Sequence, residues 1–209
     1  MRAQESKRKV GVFCGSRDSA DSRYADAAAE LGCSLADRGV GLVYGGSAAG
    51  LMGVLANAAL ERGGSVLGVI PTFLVKREIA HSGLTELRTV ETLEERKLVM
   101  LERSDAFIVL PGGFGTLDEA FEVLCLAQLG FHSKPCVLLN VGRFFHHLIE
   151  FLDHATDGGF ISTFNRSLVT EVTSVAEALA CISSTWRENI DTDRSPRGRS
   201  VTTTKSLGK

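Results

Sequence analysis

The chain has 209 residues and a formal net charge of −2, and 44% of its residues are hydrophobic and 23% charged, as in ordinary globular domains. This composition excludes disorder over most of the length, and no run approaches the ~20 apolar residues that span a bilayer. Residues 1–9 are basic but precede no apolar core of the kind a signal peptide needs, so we expect a cytoplasmic protein.

Positive charge is concentrated at the two ends of the chain. We predict one domain over residues 10–188, a basic tail over 1–9 and a disordered basic tail over 189–209, which has too few aliphatic residues to fold. Because the domain itself is acidic, it has little general attraction for nucleic-acid phosphates. We therefore expect neither a nucleic-acid partner nor a membrane partner.

Short apolar runs alternate with segments whose apolar residues recur every three or four positions. The runs predict strands over residues 10–14, 41–44, 65–70, 106–110 and 136–140, and weaker apolar runs give two further candidates at 86–90 and 168–172. The periodic segments predict helices over residues 22–38, 51–62, 93–103, 117–129, 144–156 and 174–187, four of which end at Gly39, Gly63, Gly130 and Gly158. This alternation predicts an α/β fold, a doubly wound Rossmann-like parallel sheet with helices on both faces.

Three glycine-rich segments follow predicted strands, at residues 15–17, 45–53 and 111–116. Ligands of such sheets bind at these carboxyl ends. None of the segments contains the Gly-Lys-Ser/Thr of a Walker A loop, and Ser47 replaces the second glycine of a dinucleotide fingerprint, which disfavours ATPase and NAD functions. Residues 111–116 lead from a buried strand into a helix and predict a phosphate cradle. The alternative is a tight turn whose glycines serve backbone geometry alone.

The helix after this loop carries two carboxylates. Thr116 and Glu119 fit a capping box, which offers Glu119 a purely structural explanation. Glu122 lies three residues further on the same helix face, so both carboxylates are expected near the phosphate loop. Two carboxylates beside an anion site require a nearby cation.

Residues 92–97 supply candidate cations. Thr92 and Glu95 predict another capping box, so Arg96 and Lys97 lie near a helix amino terminus, where positive charge is unfavourable. Lys97 has Glu94 three residues before it as an ordinary surface partner. Arg96 has no acidic residue three or four positions away. We therefore expect its partner on another element, the alternative being a solvated surface arginine.

Histidine and cysteine give little indication of a metal site. His147 and His154 are about 10 Å apart along a helix, too far to share one ion with or without His146. His81 is either a residue at the rim of a binding site or simply exposed. We interpret the cysteines as reduced core thiols without disulfides: Cys14, Cys33, Cys125, Cys136 and Cys181.

Several motifs occur together in the order of one family. They are V-F-C-G-S at 12–16, Y-G-G at 44–46 with G-L-M-G at 50–53, G-V-I-P at 68–71, E-R-K at 95–97 and P-G-G-F-G-T-L-D-E at 111–119. On these motifs the chain resembles, from about residue 10 to 183, the LONELY GUY family of cytokinin riboside 5′-monophosphate phosphoribohydrolases, often mislabelled as lysine decarboxylases.

The resemblance implies a Rossmann-like homodimer that hydrolyses the N-glycosidic bond of adenosine 5′-monophosphate, with or without an isoprenoid on the exocyclic amine, and uses no metal or organic cofactor. It implies that Arg96 and Glu119 are catalytic. The carboxylate of Glu119 would face the charge that develops on the ribose, and Arg96 would orient it or bind ribose and phosphate. The residues expected to bind substrate or phosphate are Ser16, Gly45, Gly46, Lys97, Gly112, Gly113, Gly115, Thr116 and Glu122.

Three positions depart from the pattern of the family. Arg17 follows Ser16 where a second serine is frequent, Ser47 replaces a third glycine, and Leu93 and Glu94 replace Met-His. Glu94 would oppose a phosphate if it faced inward. A carrier of a nucleotide or of the molybdenum cofactor on the same fold remains the alternative function, and it does not need the pair of Arg96 and Glu119. A lysine decarboxylase needs a lysine bound to pyridoxal phosphate, for which no position is convincing.

Overall fold

A computed structural model describes residues 8–19, 21–75 and 80–194. Within these residues seven strands form one sheet, and each strand is parallel to its neighbours. The strands are β1 (Lys9–Phe13), β2 (Gly41–Tyr44), β3 (Val66–Pro71), β4 (Glu86–Val90), β5 (Ala106–Val109), β6 (Cys136–Leu139) and β7 (Val169–Val172). Their order is β4-β3-β2-β1-β5-β6-β7. The predicted Rossmann-like sheet is confirmed.

Helices cover both faces of the sheet. They are α1 (Ser22–Asp37), α2 (Gly50–Glu61), α3 (Thr72–Val75), α4 (Leu93–Glu102), α5 (Phe114–Gln128), α6 (His146–Asp157), α7 (Thr163–Arg166) and α8 (Val175–Arg194), with a 3-10 turn at Val141–Arg143. One core lies between the sheet and α1, α2 and α8, and the other between the sheet and α4, α5 and α6. None of the described helices combines the length and the apolar character needed to cross a bilayer.

The central strands are buried on both faces. In β5, Phe107 belongs to one core and Ile108 to the other, so an apolar residue is needed at every position. At the edge, β4 exposes all its residues except Val90, which explains its weaker apolar signal in the sequence.

The strand order reverses at β1, so that successive strands are added first on one side of β1 and then on the other. From β1 the strands proceed outward to β4, and the next strand, β5, lies on the other side of β1. The loops that follow β1 and β5 therefore meet, and the N–H of Gly15 donates to the carbonyl of Pro111 at 3.0 Å. Such a switch point is the usual place for a ligand in this kind of sheet.

The capping box predicted for Thr116 and Glu119 is wrong. Helix α5 begins at Phe114, and its N-cap is Gly113, which has no side chain to cap with. Thr116 and Glu119 lie inside the helix and are buried. Before α4, by contrast, Thr92 Oγ1 does accept from the N–H of Glu95 at 3.1 Å.

The first and last elements of the structure extend slightly beyond residues 10–188, the predicted bounds of the domain. At the N-terminal end, β1 begins at Lys9, and Arg8 binds Asp105 at 3.4 Å and lies 5.4 Å from the ring centre of Trp186. At the C-terminal end, α8 continues to Arg194, into the segment predicted as a disordered tail. Residues 1–7 and 195–209 lie outside the described residues.

Two smaller expectations also need correction. Gly39, Gly63 and Gly130 have positive φ after their helices, as predicted, but after α6 the positive φ of 78° belongs to Gly159 and not to Gly158. All five cysteines are free, yet only Cys14 and Cys136 are buried, and Cys125 is exposed on α5. Burial raises the pKa of Cys136 to about 12, so this thiol stays neutral and unreactive.

Candidate active site

A cavity of about 600 Å³ opens at the switch point, within the size range of small-molecule sites. Its walls come from the loops after β1, β2 and β5, from the starts of α1, α2 and α5, and from α4. The lining residues are Val12, Cys14, Gly15, Ser16, Arg17, Ser19, Tyr24, Gly45, Leu51, Met52, Arg96, Pro111, Gly112, Gly113, Phe114, Gly115, Thr116, Glu119 and Phe144.

One wall of the cavity is the amino terminus of α5. The first amides of a helix have no acceptor within it, and the helix dipole adds positive potential there. A Cβ on Gly113 or Gly115 would meet no described protein atom within 4 Å, so packing does not require glycine at either position. The open space at both positions is compatible with the anion site that the sequence predicts, because glycine would let a ligand approach the backbone closely.

The inner end of the cavity holds an arginine and a carboxylate. Arg96 Nη1 lies 3.3 Å from Glu119 Oε1, and each residue is only 8% exposed. Arg96 also donates through Nε to the carbonyl of Val69 and through Nη2 to that of Gly45, both at 3.0 Å. The expected partner on another element is therefore found, and all three guanidinium nitrogens of Arg96 contact protein acceptors.

Cys14 lies beside this pair but is not a candidate nucleophile. Its burial raises the pKa of the thiol, the nearby charge of Glu119 raises it further, and Arg96 only partly opposes them. The thiol therefore remains protonated, and the reactive form of a cysteine is the thiolate.

The remaining wall is aromatic and aliphatic. Tyr24 of α1 and Phe144, which precedes α6, meet edge to face with ring centres 5.6 Å apart, and Leu51 and Met52 of α2 lie in the same cavity. None of these four residues was predicted from the sequence, because apolar residues in helices are interpreted as core.

Ser47, one of the departures from the family pattern, is fully buried and does not line the cavity. Its Oγ accepts from the N–H of Ala49 at 3.1 Å, and its carbonyl accepts from the hydroxyl of Tyr44 at 3.2 Å. Burial raises the pKa of that hydroxyl, which therefore remains a donor. Ser47 thus shapes the loop after β2 from inside.

Three of the residues predicted to bind substrate do not line the cavity. Gly46 has a φ of 80° and packs against β3. Lys97 and Glu122 bind one another, and Lys97 Nζ also lies 3.1 Å from Asp118 Oδ2. The ion pairs of Lys97 are thus with α5 and not with the predicted partner, Glu94, which is exposed and does not face the cavity.

The structure also places the histidines. His146 and His147 both contact Glu150, and their ligand atoms lie within 4.8 Å of one another, but Arg143 Nη2 is 2.6 Å from His146 Nε2. A guanidinium in that position opposes binding of a cation. His81 lies outside the cavity and binds Asn57 at 2.9 Å, so it is not a rim residue.

The chain is similar to known proteins over much of its length. A family model described as "Possible lysine decarboxylase" matches residues 52–182. A cytokinin riboside 5′-monophosphate phosphoribohydrolase of Rhodococcoides fascians is 46% identical, over 87% of this chain and 92% of that one. An enzyme of the same name from Arabidopsis thaliana is 45% identical, over 83% of this chain and 81% of that one. Another, from Oryza sativa subsp. japonica, is 44% identical, over 81% of this chain and 70% of that one.

Two solved structures share the fold. A molybdenum cofactor binding protein from Rippkaea orientalis has a TM-score of 0.68 at 20% identity, covering 88% of this chain and 99% of that one. The molybdenum cofactor carrier protein of Chlamydomonas reinhardtii has a TM-score of 0.66 at 23% identity, and the match covers 87% of this chain and 99% of that one. At such identities the likeness concerns the fold alone.

Proposed function

This chain belongs to the family of cytokinin riboside 5′-monophosphate phosphoribohydrolases, and on that basis we propose that it hydrolyses the N-glycosidic bond of adenosine 5′-monophosphate or its N-prenylated derivatives. The products are the free base and ribose 5-phosphate. The observation that carries this proposal is the buried pair of Arg96 and Glu119, which shares one cavity with the amino terminus of α5.

The 5′-phosphate binds at the start of α5. The backbone amides after Gly112 donate to its oxygens, Thr116 adds a hydroxyl, and Ser16 borders the same cavity from the loop after β1. Because the phosphate lies far from the bond that breaks, its binding energy positions that bond.

Glu119 acts at the ribose. When the bond between C1′ and the purine nitrogen breaks, its electron pair leaves with the base, which takes up a proton. Water adds a hydroxyl to C1′ and loses a proton. The ribose carries positive charge in the transition state, and a fixed carboxylate beside C1′ stabilises that charge.

Arg96 orients Glu119. The sequence left both this role and the binding of ribose and phosphate open, but Arg96 Nε and Nη2 already donate to the carbonyls of Val69 and Gly45, and Nη1 faces Glu119 Oε1 at 3.3 Å. An arginine held in this way places a positive charge beside the carboxylate and fixes its position.

The wall of Tyr24, Met52 and Phe144 suits the flat base, since aromatic and thioether side chains pack well against a purine.

Neither alternative function gains support from this cavity. No lysine is among its described lining residues, as a pyridoxal phosphate enzyme would need. A cofactor carrier has no use for the pair of Arg96 and Glu119.

We also propose a homodimer that forms through the face of α4 and α5. Large apolar side chains are exposed on or beside these helices: Leu93, Leu98, Phe114, Leu129 and Phe131. Light scattering coupled to size-exclusion chromatography tests this proposal. We expect a dimer for the wild type, a monomer for Leu98→Glu and a dimer for Phe164→Glu, whose exposed side chain lies on α7.

The activity is tested by incubating the full chain with AMP, with isopentenyladenosine monophosphate and with the two corresponding nucleosides. Chromatography measures the released base. We expect release from both monophosphates and a kcat/KM for the nucleosides at least about 100-fold lower. No release from either monophosphate contradicts the proposed activity, whereas equal kcat/KM for adenosine and AMP contradicts only the phosphate site.

A further inference from the structure

Lys97 forms a second ionic cluster beside the catalytic pair. Its side chain is 16% exposed and binds Asp118 Oδ2 at 3.1 Å and Glu122 Oε2. The hydrogen bonds to Glu122 and Asp118 outweigh partial burial and raise the pKa of Lys97, so the ammonium group remains charged. The cluster thus joins a cation of α4 to two carboxylates of α5.

The two clusters connect the same pair of helices at adjacent positions. Lys97 follows Arg96 on α4, and Asp118 precedes Glu119 on α5. Lys97, Glu119 and Glu122 also line a narrow cleft, and Glu119 is the one lining residue that this cleft shares with the cavity. The ion pairs of Lys97 therefore hold the turn of α5 from which Glu119 projects.

The backbones of α4 and α5 make few close contacts with one another. The distance between Arg96 and Glu119 consequently depends on side chains that reach from one helix to the other. Lys97 is the described side chain that reaches two partners on the facing helix, and it does so outside the cavity.

We propose that Lys97 is a positioning residue, which ties α5 to α4 through Asp118 and Glu122 and so holds Glu119 at its place beside the ribose. The proposal rests on the proposed hydrolysis and adds to it a residue that does not touch the substrate. It differs from the prediction that Lys97 binds the phosphate, because that role requires Lys97 to reach into the cavity.

The test compares kcat and KM for AMP and adenosine in Lys97→Met and in a matched control. We expect kcat for AMP to fall between about 10- and 100-fold, the scale of a misplaced catalytic group, with little change in KM or in the preference for AMP over adenosine. The control is Arg103→Met. It also removes a cation, the C-cap residue of α4, that binds another element, Glu86 at 3.4 Å, and neither residue lines the cavity, so we expect wild-type kinetics.

Two further variants separate positioning from general loss of structure. Lys97→Arg keeps the charge and should recover most of the lost kcat. Asp118→Asn with Glu122→Gln removes the same contacts from the α5 side and should also lower kcat, and adding Lys97→Met to that double variant should lower it little further.

The outcomes distinguish this proposal from the proposed activity. A lost preference for AMP over adenosine in Lys97→Met, an unchanged kcat, or additive effects with the α5 variants would each overturn the positioning role while the hydrolase assignment stands. A wild-type protein that releases no base overturns both.

Discussion

The carbonyl of Gly45 accepts a hydrogen bond from Arg96 Nη2 at 3.0 Å, and a Cβ on Gly45 would lie 2.1 Å from that same nitrogen. Glycine at the end of β2 is therefore required by the side chain of Arg96. The same Cβ would also lie 2.8 Å from Met52 Sδ, which belongs to a flexible side chain. The constraint that matters is thus the guanidinium of Arg96.

Gly45→Ala should displace Arg96 and with it Glu119. We expect kcat/KM for AMP to fall on the order of 100-fold and the free energy of unfolding to fall by about 1–3 kcal/mol, as in other overpacked sites. Steady-state kinetics and urea denaturation measure the two effects. Gly83→Ala, whose Cβ would come no closer than 3.3 Å to His81, is the control and should resemble the wild type. An unimpaired Gly45→Ala enzyme would show that Arg96 need not occupy its observed place.

Glu119→Gln tests the carboxylate itself. We expect kcat to fall on the order of 100-fold or more, because the amide cannot stabilise positive charge on the ribose. The cost in stability should stay below the ~3–5 kcal/mol typical of breaking a buried ion pair, since glutamine keeps a polar oxygen beside Arg96. Stopped assays with AMP and chemical denaturation give both values.

The comparison for Glu119→Gln is Glu122→Gln on the same helix. Glu122 lies outside the cavity, and Lys97 keeps Asp118 as a partner in this variant. Its activity should remain well above that of Glu119→Gln. The opposite ranking would make Glu122 the catalytic carboxylate.

The order of strands and helices was predictable because each central strand is a continuous apolar run and each long helix has an apolar period. The residue at which α5 begins was not predictable in this way. Thr116 and Glu119 have the spacing of a capping box, which is a local pattern. In the structure, however, Glu119 forms an ion pair with Arg96, which lies 23 positions earlier in the chain and on another helix. Local spacing cannot reveal that competing partner.

The same limit applies to the site. Arg96, Glu119 and the loop at 112–116 were found from charge and glycine patterns, and the structure brings them together in one cavity. Tyr24 and Phe144 were missed, because their contact joins α1 to the turn before α6. The prediction that Lys97 pairs with Glu94 was wrong for a related reason. The sequence does not show that Lys97 on α4 faces Glu122 on α5.

Gly115→Ala should separate ligand binding from folding. Gly115 lies in the first turn of α5, and its Cβ would meet no described protein atom within 4 Å. Alanine in a helix is more favourable than glycine by about 0.5–1 kcal/mol, so the melting temperature should rise slightly or stay unchanged. The new methyl group would obstruct a phosphate at the amides, and we expect KM for AMP to rise about tenfold or more.

Gly112→Ala is the informative contrast to Gly115→Ala. A Cβ on Gly112 would lie 2.1 Å from Thr116 Oγ1 and 2.9 Å from the backbone nitrogen of Gly15. This variant should lose both stability and activity. Thermal unfolding together with AMP kinetics on both variants checks the pair, and an unchanged KM in Gly115→Ala would move the phosphate site away from α5.

His132 should make the protein less stable in mild acid. Its Nε2 lies 3.0 Å from the carbonyl of Val123, and its Nδ1 accepts from the N–H of Lys134 at 3.1 Å, so the neutral imidazole satisfies both contacts. Protonation would remove the acceptor. Partial burial and the charge of Lys134 lower the pKa of His132 below its usual 6.5, against the opposing effect of the hydrogen bond to Val123. The unfolded chain therefore binds this proton first as the pH falls.

The contribution of His132 is thus fully present above about pH 6.5 and is lost as the pH falls through its lowered pKa in the folded protein. Urea denaturation between pH 7.5 and 5 should show a decrease in the free energy of unfolding that is smaller in His132→Gln. Glutamine can still donate to Val123 but does not titrate, and the other histidines are common to both proteins. Equal decreases in the two proteins would show that His132 has the same pKa folded and unfolded, and that its two hydrogen bonds do not select the neutral ring.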